Sequence, residues 1–405
     1  MKAVIYGAGN IGRGFIGQLL YQSGYELTFI DVIDAAVEAI NKEGCYPVRI
    51  ISEDNHQDIW INGIRAIHGA HTEEAAEAIA SADIMATAVG VRALPFIAPV
   101  IAAGLQKRFI KNRQPLNIII CENLIDADTF LAKLIKEQLS AEELTFFNET
   151  VGLVEASIGR MIPLQTAEMK DNNPLRICVE EYGILPVDKA AFRGAIPSVT
   201  NMRPHDNFSF YIQRKLFIHN MGHGICAYLG LIHGDNFIYE AVRHEGIRLI
   251  AHNAMLESAA ALAAKYRESA EELHDHINDL LRRFSNKALG DTCARVGSDT
   301  IRKLGNRDRF IGAIHLCSEE HINPAFIIAG ASAALYCHLR EQGIVQNEKS
   351  ARKALVQVSE LEECSIFVNK IITLYSILNN VQESKDFNEM IKSIITCTGK
   401  ITEEQ

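Results

Sequence analysis

Along the first half of the chain, short apolar runs alternate with segments whose apolar positions recur every three or four residues. Strand-like runs cover 2–6, 26–30, 82–89 and 116–121. Helical spacing follows each: Phe15, Ile16, Leu19 and Leu20; then Ala35, Val37, Ala39 and Ile40; then 92–108 and 124–139, with a shorter helix over 73–80. Strands alternating with helices predict a mostly parallel sheet covered on both faces. Two successive strands, 46–52 and 58–67 with Gly63 inside the second, break the rhythm and are expected to form an excursion at the edge of the fold. Residues 150–163 and 175–184 read as further strands. The segment Gly194–Asp206, with Pro197 and Pro204, is the expected boundary, giving domains 1–200 and 201–405. Beyond it the period becomes helical almost without break, over 207–230, 236–267, 270–284, 323–342, 349–357 and 361–379. The expected architecture is an α/β domain followed by a mainly α-helical one.

The first strand runs directly into Gly7-Ala8-Gly9-Asn10-Ile11-Gly12, which fits G-x-G-x-x-G, and a helix pattern follows. In that setting each glycine has a task. Gly7 makes the tight turn, Gly9 lets a pyrophosphate approach the backbone, and Gly12 lets the helix lie close to the strand. The helix N-terminus then offers free N–H groups to the phosphates. Asp31 ends the second strand, 19 residues after Gly12, where a carboxylate can accept hydrogen bonds from the adenosine ribose. It would repel a 2′-phosphate, and Val32 and Ile33 supply no cation, so the expected cofactor is NAD rather than NADP. The first domain therefore reads as Rossmann-like.

In open parallel sheets ligands bind beyond the carboxyl ends of the strands. That rule adds Thr87-Ala88-Val89-Gly90, whose small residues let the nicotinamide half pass close to the backbone, and Cys121–Asn123. Asn123 is the first side chain there with useful chemistry. A strand-end Asn also serves as a helix cap, and position alone leaves both roles open.

Composition narrows the class. A chain of 405 residues with 48% hydrophobic and 22% charged residues is a soluble globular balance. A net charge of −10 argues against nucleic acid, which needs a basic face. Nine cysteines are scattered without C-x-x-C, which reads as reduced thiols in a cytoplasm, not as a disulfide frame or a zinc site. No apolar run reads as long enough to span a bilayer, so no membrane partner is expected.

The first long helix of the second domain carries Lys215-Leu-Phe-Ile-His-Asn220-Met-Gly-His223. At the α-helical pitch Lys215, Asn220 and His223 fall within an arc of roughly 140°. One face thus presents an amine, an amide and an imidazole. A solvated polar stripe is the bland alternative, but Leu216, Phe217, Ile218, Met221 and Ile225 make the helix apolar on its other sides, so burial is expected. Oxidation of an alcohol by NAD needs a base for the hydroxyl proton, and a lysine qualifies when its pKa is lowered by burial and a nearby positive nicotinamide. Amides can hold the alkoxide-like oxygen. Lys215, Asn220, His223 and Asn123 supply these parts. No H-E-x-x-H or similar ligand set is visible, so no metal is expected in the reaction.

These stretches resemble the long-chain polyol (mannitol) dehydrogenases. The similarity lies in GAGNIGRGFIG (7–17), TAVG (87–90), PLNIIICEN (115–123), RKLFIHNMGH (214–223) with AYLG (227–230), and RKLGNRDR (302–309). The K-x-x-x-x-N-x-x-H arrangement is specific to that superfamily, and the length suits its sugar-phosphate branch. The resemblance implies a metal-independent, NAD-linked monomer that interconverts a hexitol phosphate and a ketose phosphate, mannitol 1-phosphate and fructose 6-phosphate. It makes Lys215 the general base, Asn123 and Asn220 the holders of the reacting oxygen, and His223 the residue that orients substrate and supports the lysine. Relatives often carry Asp-Arg where this chain has Gly159-Arg160, and His219 is unusual within the motif. A phosphorylated substrate needs cations. Arg302, Lys303 and Arg309 cluster after the helical region, with Arg160 as a further candidate, although each also reads as an ordinary solvated charge. Two other readings stay open: the same chemistry on a hexonate (fructuronate or tagaturonate) or a free polyol, and a non-catalytic NAD-binding sensor or scaffold.

Overall fold

A computed structural model describes residues 1–52, 55–380 and 387–403. The chain divides into two compact units, Met1–Tyr211 and Ile212–Gln405.

The first unit is built on a six-stranded sheet. In chain order the strands of the unit are β1 (Lys2–Tyr6), β2 (Glu26–Asp31), β3 (Cys45–Ile51), β4 (His56–Asn62), β5 (Arg65–His68), β6 (Ile84–Thr87), β7 (Leu116–Ile120), β8 (Val151–Glu155), β9 (Ile177–Val179), β10 (Leu185–Asp188) and β11 (Met202–His205). The main sheet has the order β5-β2-β1-β6-β7-β8 and every pair in it is parallel. This is the doubly wound arrangement, with its switch point between β1 and β6. Alternation along β1 shows why the apolar runs are continuous. Ala3 and Ile5 face one hydrophobic core, while Val4 and Tyr6 face the other. The register brings Tyr6 level with Ile30 and Thr87, and Thr87 level with Ile120, so the loops that follow the strands emerge along one edge.

The run 58–67 is not one strand. Gly63, at φ +67°, turns the chain out of one sheet and into another. β4 pairs with β3, and β3 with β9, in a separate three-stranded sheet, whereas β5 joins the main sheet beside β2. The Gly194–Asp206 segment contains β11, paired in parallel with β10, so it belongs to the first unit. Strands expected over 150–163 and 175–184 shrink to β8 and β9. One helix, Ala141–Thr150, has no counterpart in the hydrophobic spacing and is fixed by a capping box between Ser140 and Glu143. A second departure concerns length. The helical stretch Val91–Lys111 is long and apolar enough to cross a membrane on those two measures, contrary to the expectation that no run is. Half of its most apolar window is buried within the protein, where Leu94, Ile97, Ile101 and Leu105 fill the core against the Thr72–Ala80 helix.

The second unit is helical. At its middle lies the Met221–His233 helix, with Met221, Gly222 and Gly224–Gly230 all buried. A helix apolar on all sides has to be enclosed by others. Here the neighbours are Glu245–Tyr266, Cys293–Gly297 and Ala325–Glu341. Gly230 permits the approach, because a Cβ there would meet Ala241 Cβ at 2.7 Å and Cys293 Sγ at 2.9 Å.

Candidate active site

The glycine turn is closed by its own backbone. Gly7 has φ +104°, and a Cβ on it would lie 2.3 Å from the Ala88 carbonyl oxygen. A Cβ on Gly12 would fall 1.9 Å from the carbonyl oxygen of Gly7. At Gly9 nothing lies within 4 Å of the same position, so the backbone there is open to a ligand. Gly9 and Asn10 are exposed and Ile11 half-buried, whereas Gly7, Ala8 and Gly12 are enclosed. This cradle fits the pyrophosphate of a dinucleotide.

Its shape is held by side chains. Asp31 Oδ2 accepts from Ala8 N–H at 2.6 Å and Oδ1 from Ile33 N–H at 3.0 Å. The carboxylate thus stands at the glycine turn. Arg13 is buried and turns back, its Nε donating to the Ala8 carbonyl at 2.6 Å and Nη1 to that of Leu175 at 2.5 Å. The Tyr46 hydroxyl donates to the Arg13 carbonyl at 2.9 Å. Residues Gly12–Gly17 form a wide π-helical turn rather than an α-helical one.

The neighbouring strand ends carry the rest. Ala88 N–H donates to the Tyr6 carbonyl, and Cys121 N–H to that of Thr87, tying the three strand ends together. Thr87 is fully buried, and its hydroxyl has no hydrogen-bond partner among the described residues. The Val89 and Gly90 N–H groups are taken up by Glu122, at 3.0 Å to Oε1 and 2.7 Å to Oε2. Glu122 thereby sets the loop at Val89–Gly90, a role the sequence analysis did not give it. Asn123 follows, exposed. It is not the cap of the next helix. That helix, Ala127–Lys136, begins with Ala127 N–H donating to Glu155 Oε1 at 2.9 Å.

In the second unit Lys215–Asn220 is again a π-helical turn, inserted between Phe208–Arg214 and the central helix. Bonds from i to i+5 place residues five apart over one another, so Lys215 and Asn220 share a face more closely than an α-helix would allow. Lys215, Asn220 and His223 are each half-buried, as is Leu216, while Phe217, Ile218, His219, Met221 and Gly222 are buried, so the three are the polar groups of this stretch that remain accessible. Full burial of the lysine, expected from its apolar neighbours, is not found.

His223 has two partners that the sequence did not indicate. Its ring stacks on Phe284, with centroids 4.6 Å apart and planes 8° from parallel. Its Nε2 lies 3.3 Å from Asp291 Oδ2. Asp291 in turn accepts Arg295 Nε at 2.8 Å on Oδ1. Burial works against ionisation of Asp291, but the His223 hydrogen bond and the charges of His223 and Arg295 outweigh it and hold its carboxyl below the ordinary range. An ionised Asp291 accepts a hydrogen bond from Nε2–H and fixes the orientation of the ring. His219 is buried, and burial first, then the cations around it, push its pKa well below the usual value, so it is a neutral ring beside the site.

The four candidate phosphate ligands are divided between the two units, and each has partners within its own. Arg160 lies in the first unit, its Nε donating to the Glu180 carbonyl at 3.0 Å and Nη1 to the Gly14 carbonyl and Gln18 Oε1 at 3.0 and 2.7 Å. It sits over the Phe15 ring, and burial draws its pKa down to about 10. In the second unit Arg302 bonds Asp299 and Asp308 at 2.6 and 3.0 Å. Lys303 is buried and donates to the carbonyls of Val296 and Ser298, with its pKa lowered by burial to about 8. Arg309 bonds Asp308 Oδ1 at 2.9 Å and the Asn220 carbonyl at 3.3 Å, so it braces the end of the π-turn. Arg160, Lys303 and Arg309 are buried braces, while Arg302 is exposed and ion-paired.

Comparison with known proteins gives the same division. The description "Mannitol dehydrogenase Rossmann domain" matches residues 1–201, and "Mannitol dehydrogenase C-terminal domain" matches 207–396. Among solved structures, a D-sorbitol dehydrogenase in substrate-free form is 15% identical, with a TM-score of 0.77, over 97% of this chain and 94% of its own. The Pseudomonas fluorescens mannitol 2-dehydrogenase, in a ternary complex with NAD and D-mannitol, is 13% identical, with a TM-score of 0.74, over 98% of this chain and 94% of its own. At such identities the likeness is one of fold.

Proposed function

The chain belongs to the mannitol dehydrogenase family, and from that premise we propose that it is an NAD-dependent mannitol-1-phosphate 5-dehydrogenase, interconverting D-mannitol 1-phosphate and D-fructose 6-phosphate. The observation that carries the oxidoreductase reading is the partly accessible Lys215–Asn220–His223 face, on a helix whose middle is buried, in a chain whose other unit holds a preformed dinucleotide cradle. NAD, when bound, supplies the hydride acceptor. Gly7, Ala8, Gly9, Asn10, Ile11 and Gly12 hold its pyrophosphate, Asp31 its ribose, and Thr87–Gly90 border its nicotinamide half. Lys215 takes the proton from the substrate hydroxyl, and Asn220 and Asn123 hold the oxygen as it becomes a carbonyl. His223, fixed by Asp291 and Phe284, orients the substrate. The reading assigns no step to a metal, so chelators should leave turnover unchanged. It places a monomer in the cytoplasm, a reducing setting that suits nine cysteines of which none is in a disulfide among the described residues.

The phosphate rests on the shorter length and on the basic run Arg302–Arg309. A second reading, a free polyol as substrate, is favoured by the carboxylate and carbonyl partners already held by Arg160, Arg302, Lys303 and Arg309. A substrate panel followed by NADH absorbance separates them: mannitol 1-phosphate and fructose 6-phosphate against mannitol, fructose, fructuronate and tagaturonate. A kcat/KM for the phosphorylated pair at least about a hundredfold above the rest, some 2.7 kcal/mol, supports the first reading. Equal rates on free mannitol replace it with the second. NADH binding without turnover of any compound leaves only a sensor.

A further inference from the structure

A second cluster of chemistry-bearing side chains lies in the helical unit, at the far end of the helix that carries His223. His233 closes the Met221–His233 helix, Gly234 turns the chain at φ +102°, and Asp235 follows. His244 stands just before the Glu245–Tyr266 helix. Asp235 Oδ1 is 3.0 Å from His233 Nδ1 and 3.4 Å from His244 Nε2. One ligand atom from each of the three residues lies within 4.8 Å of the others. The imidazole centroids are 4.1 Å apart, and the Phe387 ring packs on both, at 4.5 and 6.1 Å.

Hydrogen bonding accounts for only half of this arrangement. Two imidazole N–H groups can share Asp235 Oδ1, but Oδ2 is buried without a hydrogen-bond partner among the described residues, on a side chain only 11% exposed. A buried carboxylate oxygen left without a partner is costly. A cation removes that cost, because its charge is felt by the whole carboxylate while the imidazole lone pairs coordinate it. Two imidazole nitrogens and a carboxylate suit zinc-like ions. Magnesium and calcium prefer all-oxygen shells. Bonds of about 2.0–2.2 Å around a tetrahedral ion put ligand atoms roughly 3.3 Å apart, so the cluster needs only a small closure.

We propose that His233, Asp235 and His244 form a binding site for one zinc-class divalent cation, open to water at its fourth position. The ion clips the end of the central helix to the start of the next long one, across the ten residues 234–243. It has no part in the reaction: His233 is ten residues along the same helix from His223, about 15 Å away.

The full-length protein, stripped with a chelator, is titrated with Co²⁺ and then with Zn²⁺. The site predicts one equivalent of Co²⁺ with the visible ligand-field absorption of a nitrogen and oxygen shell, displaced by Zn²⁺, and a higher Tm for the loaded protein. Asp235→Asn and His244→Gln should each weaken binding about tenfold or more while leaving metal-free turnover unchanged. His233→Gln, at an exposed position, serves if either variant fails to fold. The proposal is overturned by wild-type protein that binds no stoichiometric ion, by binding that survives these substitutions, or by the near-ultraviolet thiolate band of a cysteine site.

Discussion

Two wide helical turns bear the residues to which the two halves of the proposed chemistry are assigned, and they are held in different ways. The glycine turn leading into Gly12–Gly17 is shaped chiefly by backbone: Gly7 and Gly12 leave no room for a Cβ beside the Ala88 and Gly7 carbonyls, and Asp31, one strand away, bonds Ala8, while Arg13 and Arg160 tie the turn to later segments of the same unit. Lys215–Asn220 is fixed from a distance. Its orienting histidine rests on Phe284 and Asp291, and its last carbonyl is held by Arg309. A cradle of backbone takes its shape from the turn itself and needs later segments only as braces. A face of side chains is only as good as partners contributed by other helices. Substitutions that separate shape from chemistry can therefore test the contrast.

The largest effect is expected at the base. Lys215→Ala should lower kcat by about 10²–10⁴-fold, the contribution of a placed general base. Because every cofactor contact assigned above comes from the first unit, NADH affinity, read by fluorescence titration, should stay within about twofold. Retention of most of the activity removes Lys215 from its role.

Next come the glycines, which should divide by what a methyl group meets. Gly12→Ala puts a Cβ 1.9 Å from a backbone oxygen that cannot move without opening the turn. Overpacking of that kind costs about 1–3 kcal/mol, so both Tm and NADH affinity should fall, the latter tenfold or more. Gly9→Ala meets nothing within 4 Å. It should leave Tm unchanged and weaken NADH alone. If the two variants behave alike, the open face at Gly9 is not where the cofactor lies.

A smaller effect, of about tenfold in kcat, is expected from Asp291→Asn, which keeps the shape but removes the charge beside His223. The sign with pH follows from the lowered carboxyl pKa. The contribution of the ionised carboxylate to stability is fully present above its unfolded value, near 3.9, and disappears as pH falls through the depressed folded value. Asparagine should erase that acid-side dependence of Tm and move the acid limb of the pH–rate profile. A variant that loses rate with an unmoved profile would make Asp291 a packing residue only.

How much of this was legible follows the same division. The sheet, the glycine turn and Asp31 could be read because strand period, glycine spacing and the strand-end rule are all local. The triad Lys215, Asn220 and His223 was visible as a motif, but its π-turn was not, since apolar spacing does not distinguish i→i+4 from i→i+5 bonding. Asp291, 68 residues beyond His223, carries no signal of its own. Glu122 was passed over beside Asn123, although a carboxylate ending a strand next to a glycine-ended loop is a cue for just such a brace. Ser140-x-x-Glu143 was also readable as a capping box and marks the overlooked helix. Arg160, Arg302 and Lys303 stay undecided in sequence for a physical reason: a cation is either a ligand-binding charge or an internal donor, and the acceptors around it, which the sequence does not show, bear on which.

The smallest effect tests a brace of the loop that bears Asn123. Glu155, at the end of β8, accepts the Ala127 N–H. Burial, and then the charge of Asp128, raise its pKa to about 7, against the opposing backbone bond from Ala127. An unfolded glutamate titrates near 4.3. Between those values the folded protein holds a proton that the unfolded chain releases, so the contribution to stability is present at low pH and fades as pH rises towards 7. Glu155→Gln keeps a carbonyl oxygen for Ala127 and cannot ionise. Its Tm should therefore gain on the wild type as pH is raised from 5 to 8, with kcat nearly unchanged because the loop keeps its anchor. Melting curves at unit steps across that range decide it: a constant Tm difference between the two proteins would mean that Glu155 is charged throughout and braces its loop as an anion.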